Sequence, residues 1–135
     1  MESQRFYLRA AAILGALAVL LGAFGAHGLK SALGADMTAV YETAVRYHFY
    51  HALAILAVAA AADSFASGAW WRWACRAWVA GVILFSGSLY LLVISGTKWL
   101  GAVAPVGGSA LIVGWVCLAV AASGCAGHAR NLTRR

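Results

Sequence analysis

Four long apolar stretches with almost no charge inside them constrain this chain more than any other feature. The first runs over residues 8–26, from Leu8 or Ala10 to Ala26, and carries no charge after Arg9. The second covers Tyr47 to Ala62 and opens on tyrosine and histidine. The third covers Ala77 to Ser95, and the fourth Leu100 to Ala122. Each comes near the roughly 17–25 residues that a helix needs to cross hydrocarbon. A backbone in lipid must satisfy its polar groups within the segment, so stretches of this kind are helices, not open strands. Composition agrees: 64% of the 135 residues are hydrophobic and 10% are charged, whereas soluble domains carry about 25% charge. Four acidic side chains cannot clothe a water-soluble globule of this length. The reading is all-α: one domain, residues 1–135, a polytopic membrane protein with four transmembrane helices in a compact bundle.

The basic residues set the expected orientation. Arg5, Arg9, Arg72, Arg76, Arg130, Arg134 and Arg135 fall on one side of such a topology, while Lys30, Arg46 and Lys98 fall on the other. The positive-inside tendency therefore places both termini in the cytoplasm. An even number of spans also requires both ends on one side. The net charge of +6 is thinly spread between apolar runs, so it reads as a topology signal and not as a nucleic-acid-binding stripe. Trp70, Trp71, Trp73 and Trp78 read as interfacial anchors at the cytoplasmic boundary, with Trp99 at the other. Ala23-Phe24-Gly25 resembles a signal-peptide cleavage site, but its apolar stretch is long for a signal, and a retained first helix is expected.

The second helix is expected to start ahead of its membrane part, with Asp36 as N-cap and no Gly or Pro from Met37 to Arg46. From Asp36 to Ala62 it would be about 40 Å long, more than hydrocarbon requires. His27 to Ala35 is then a short external linker. Pro105 either starts the fourth helix or kinks it.

Small residues let helices approach closely in lipid. Ala11 and Gly15, then Ala18, Gly22 and Ala26, make four-residue stripes on the first helix, with Gly25 beside them. Gly81, Ser88 and Ser95 recur at heptad spacing on the third, with Gly87 alongside, and Gly107, Ala110 and Gly114 share a stripe on the fourth. These read as packing seams.

Ionisable groups near the membrane are costly and therefore candidates for function. One cluster stands out: His27, Glu42, Arg46, His48 and His51, with Tyr41, Tyr47 and Tyr50 around it, all expected near the external interface. At about 100° per residue, His48 and His51 lie about 60° apart on the helical wheel, while Glu42 lies about 180° from His51. Glu42 and Arg46, four residues apart, are expected to pair. His27, His48 and His51, with Tyr47 and Tyr90 nearby, are the candidate ligand-binding residues, and two or three imidazoles suit zinc, copper, iron or nickel. The alternative is a hydrogen-bonded network of histidine and tyrosine that fixes the first helix against the second. Cys75, Cys117 and Cys125 form no metal-binding or redox motif. No catalytic constellation or nucleotide-binding loop is present, and no cofactor is implied.

Four blocks, in order, carry a resemblance to a known family. They are Leu21-Gly22-Ala23-Phe24-Gly25-Ala26-His27, Tyr47-His48-Phe49-Tyr50-His51-Ala52-Leu53, Leu84-Phe85-Ser86-Gly87-Ser88-Leu89-Tyr90, and Pro105-Val106-Gly107-Gly108 followed by Gly114-Trp115. The chain resembles the small membrane proteins called domain of unknown function 423, or protein family 0382, with transmembrane protein 256 as eukaryotic relatives. Many relatives are expected to carry Gln at the position of His48, which weakens a metal site dependent on it. The resemblance implies a four-span inner-membrane protein and supplies no reaction. The function expected is that of a non-enzymatic structural or interaction protein whose partners are the bilayer, other membrane proteins or a second copy. The alternative is a metal or small-ligand binder, or small transporter, using the histidine and tyrosine cluster.

Overall fold

The structure, a computed structural model, describes residues 1–29, 32–65 and 69–132, with side chains described to residue 123. Lys30, Arg134 and Arg135, and the side chains of Cys125 and Arg130, lie outside what is described. All regular structure among the described residues is helical: α1 (Glu2–Phe24), α2 (Ala35–Ala60), α3 (Trp70–Ser95) and α4 (Ala104–Leu132). Consecutive helices are neighbours, α1 packing on α2, α2 on α3 and α3 on α4. The result is an all-α membrane bundle.

Three helical stretches among the described residues, Glu2–Leu29, Trp70–Ser95 and Lys98–Ser123, are long and apolar enough to cross a membrane. Helix α2 does not reach that level on its own: its first half carries Asp36, Glu42 and Arg46, and His48 and His51 follow at its middle. It is nevertheless 26 residues long, about 39 Å at 1.5 Å per residue. His48 and His51 do not face outward from it; they are buried at 4% and 5% exposure.

The helix ends follow local chemistry. Gly34, in extended backbone, is the N-cap of α2 and Asp36 lies within the first turn, so the expected Asp36 cap is displaced by two residues. A carboxylate there still favours the positive end of the helix dipole. Helix α1 passes into a π-helical turn, Gly25–Leu29, which begins at the end of the expected first span and carries the helical path into residues 27–29 of the expected linker. Gly96 closes α3 in the left-handed region at φ 69°, the backbone conformation that a residue without Cβ adopts most easily. Pro105 occupies the first turn of α4, where its missing N–H leaves no intrahelical bond unmade. It therefore starts the helix and does not kink it.

The core is layered along the helices. One apolar cluster gathers Tyr7, Ala11, Ile55, Ala59, Trp71, Cys75, Trp78, Val82 and Leu111. A second gathers Tyr41, Ala44, Tyr90 and Val93. Along α2 and α3 the positions between them are polar: His48, His51, Ser86 and Ser88 are all buried. The histidines thus lie midway along the bundle, covered by neighbouring helices. Trp71 and Trp78 are likewise core residues, at 5% and 0% exposure, while Trp70, Trp73 and Trp99 are exposed. Two of the five expected anchors are thus packing elements.

Candidate functional site

Helix α2 delivers His48 and His51 to different neighbours, because 60° of separation on the wheel aims one at α3 and the other past it at α4. His48 Nδ1 lies 3.3 Å from the hydroxyl of Tyr90 on α3. Its Nε2 is buried and has no hydrogen-bond partner among the described residues, and the same holds for Ser86 Oγ one turn before Tyr90. A buried polar atom left unpaired costs about 1–3 kcal/mol, so this mid-height layer is a costly part of the bundle.

His51 is fully engaged. Its Nδ1 contacts the Tyr47 carbonyl oxygen at 2.8 Å, and the Trp115 indole Nε1–H donates to His51 Nε2 at 3.3 Å. A neutral imidazole donates from one nitrogen and accepts at the other, so these two partners together select the form that carries its proton on Nδ1. The ring sits among aromatics, with Tyr47, Trp115 and Trp78 centroids 6.1, 6.2 and 6.3 Å away. Trp78 and Trp115 meet edge to face at 4.9 Å, and the Trp78 indole donates to the Leu111 carbonyl at 3.2 Å. Tyr47 is partly exposed and packs on Phe85 at 4.8 Å. Between Tyr47, His51, Phe85, Ile112 and Trp115 runs a groove of about 370 Å³.

His27 does not join either pair. It is exposed, and its Nδ1 lies 3.0 Å from the Ala23 carbonyl of its own helix turn. Among the described residues no three His, Cys, Asp or Glu side chains come together in a way that could hold a metal. The five candidate ligand residues therefore divide into His48 with Tyr90, His51 with Tyr47, and His27 apart. Glu42 and Arg46 pair at 3.1 Å on the exposed face of α2, and Cys75 and Cys117 are buried free thiols.

The small residues divide as well. A Cβ on Gly107 would overlap the backbone of Phe85, reaching within 2.7 Å of its Cα. One on Gly81 would strike the Leu111 side chain, and one on Gly114 the Trp78 indole. At Gly25 it would strike the Tyr41 ring, and at Gly22 it would meet Val45 at 3.3 Å. Ser88 is buried and donates to the Phe85 carbonyl at 3.0 Å. Gly15 and Gly87 have no heavy atom within 4 Å of such a Cβ, so neither sits at a tight seam inside the chain.

Trp78 and Trp115 are the residues that sequence reasoning missed. The signal for Trp78 is present: Trp71, Cys75, Trp78 and Val82 recur at helical spacing and form one buried stripe. Trp115 gave no comparable signal, since its value lies in one hydrogen bond to a residue 64 positions away.

Comparison with known proteins adds kinship. Residues 21–108 match the family described as protein of unknown function DUF423. The chain is 46% identical over 114 residues to the UPF0382 membrane protein YwdK of Bacillus subtilis, covering 82% of this chain and 93% of that protein. It is 41% identical over 120 residues to the UPF0382 inner membrane protein YgdD of Escherichia coli, covering 89% and 91%. A UPF0382 membrane protein of Haemophilus influenzae is 38% identical over 116 residues, covering 84% and 90%. No solved structure matches.

Proposed function

The chain belongs to the DUF423 family of membrane proteins, and we propose that it is a non-enzymatic inner-membrane protein that works by packing against a second copy or another membrane protein. The observation that favours this reading over a ligand site is the engagement of both His51 ring nitrogens, one against the Tyr47 carbonyl and one by the Trp115 indole. An imidazole held that way has no lone pair left for a metal, and it fastens α2 to α4 across α3. The polar layer is then an interhelical lock, which suits lipid, where hydrogen bonds between helices supply part of the association energy. Outside that lock, α1 and α4 present large apolar side chains such as Leu20, Phe24, Ile112 and Val116. All four helices span in this reading, with α2 crossing because its neighbours cover its polar side, and both termini lie in the cytoplasm.

The test is His51→Ala in the full chain, purified in detergent. The lock reading predicts a lower unfolding midpoint or a loss of association, with no catalytic turnover at stake. A single purified wild-type chain that turns over a substrate would overturn it. A second reading, binding of a metal or small ligand, draws on the unpaired His48 Nε2 and the groove beside His51. Metal that survives purification of the wild type and is absent from His48→Gln would favour it.

A further inference from the structure

A second hollow lies away from the groove beside His51. A cavity of about 360 Å³ opens between the end of α1 and the first half of α2, within the size range of small-ligand pockets, about 300–1,000 Å³. Its walls are apolar: Leu29, Leu33, Val45 and the buried ring of Tyr41. The π-helical turn Gly25–Leu29 forms part of it, and widened turns of this kind are frequent at functional sites. The absence of a side chain on Gly25 brings the backbone of α1 directly onto the Tyr41 ring. Tyr41 is in turn tied to α1, its hydroxyl donating to the Leu21 carbonyl at 2.8 Å.

The charges of this cavity are specific in kind. Its lining includes Glu42 and Arg46, an ion pair at 3.1 Å whose side chains are both 60% exposed. One anion and one cation, side by side at the edge of an apolar hollow, complement a molecule that carries an anion and a cation next to each other on an apolar body. A free phosphate offers no partner for Glu42 and nothing to fill the hollow. An anionic lipid lacks the cation.

We propose that the cavity between α1 and α2 binds one zwitterionic phospholipid. Its phosphate pairs with Arg46 and its ammonium with Glu42, while part of an acyl chain fills the space between Leu29, Leu33, Tyr41 and Val45. Two protein–lipid ion pairs replace the one within α2, so no charge is left alone. The site stands on the far side of α2 from the His51 lock and does not depend on it.

The experiment is native mass spectrometry of the full chain, incubated in detergent with an equimolar mixture of phosphatidylethanolamine and phosphatidylglycerol bearing identical acyl chains. The wild type should retain one lipid per chain and prefer the ethanolamine lipid by about two- to fivefold, the size that exposed ion pairs deliver. Glu42→Gln should bring that ratio to about one while lipid is still retained. Arg46→Gln should lower retention of both lipids by a similar factor, about two- to fivefold. Val45→Phe should lower retention by filling the hollow, and because it leaves both charges in place it separates the cavity's role from theirs. Each variant's helicity and unfolding midpoint are recorded to show that it is folded. Equal retention of the two lipids by the wild type would overturn the proposal. So would a preference for the glycerol lipid, or a ratio that Glu42→Gln leaves unchanged.

Discussion

A single hydrogen bond from Trp115 to His51 carries much of what separates a lock from a ligand site here. Trp115→Phe keeps an aromatic ring in place and removes the indole donor. Hydrogen bonds between membrane helices contribute about 0.6 kcal/mol on average and at most about 1.7. The expected loss of stability is within that range, read by reversible unfolding in mixed detergent micelles. If Trp115→Phe were as stable as the wild type while His51→Ala collapsed the fold, the lock would lie within α2 alone, at the Tyr47 carbonyl. Sequence made the polar residues of α2 legible but not their burial. His48 and His51 follow closely on Glu42 and Arg46, which invites placing them all at an interface. In the fold α3 and α4 cover the two histidines, and only the Glu42–Arg46 pair stays outside. Which neighbour covers which ring is a tertiary fact, and periodicity within one helix does not contain it.

Between elements, glycine is informative only where another backbone or ring arrives. Gly107 lets α4 lie against the backbone of α3 at Phe85, so Gly107→Ala must push two helices apart. Overpacking of this kind costs about 1–3 kcal/mol, and more where backbone is the obstacle. Gly15→Ala and Gly87→Ala meet open space within the chain and should leave the unfolding midpoint unchanged or slightly raised, since alanine favours helix over glycine. The same unfolding measurement reads all three. Equal destabilisation by all three would show that Gly15 and Gly87 face a partner outside this chain. Spacing alone could not have sorted these positions, because every one sits on a plausible stripe. What sorts them is the size of the facing residue: Trp78 opposite Gly114 and Leu111 opposite Gly81. The helix count was legible from the apolar runs. The start of α2 was legible to within two residues, because Gly34 and Asp36 both suit a first turn.

At the scale of the whole molecule, the apolar runs announced a helical membrane protein, and the family relationship agrees. Helix α2 decides the topology. If it crosses, both termini face the same compartment; if it does not, three spans put them on opposite sides. The account predicts that a fluorescent protein fused to either terminus fluoresces, and that a periplasm-dependent phosphatase at either terminus stays inactive. An active phosphatase at one end would mean that the polar half of α2 keeps it from spanning.

The central claim, that the chain acts by association and not by catalysis or metal binding, is tested most directly by extracting it gently from its host's own membranes at natural abundance and recording native mass spectra. The account predicts a mass that contains a second polypeptide, either another copy or a different membrane protein, with no stoichiometric metal. A single chain alone, or a single chain carrying a stoichiometric metal ion or water-soluble small molecule, would contradict it.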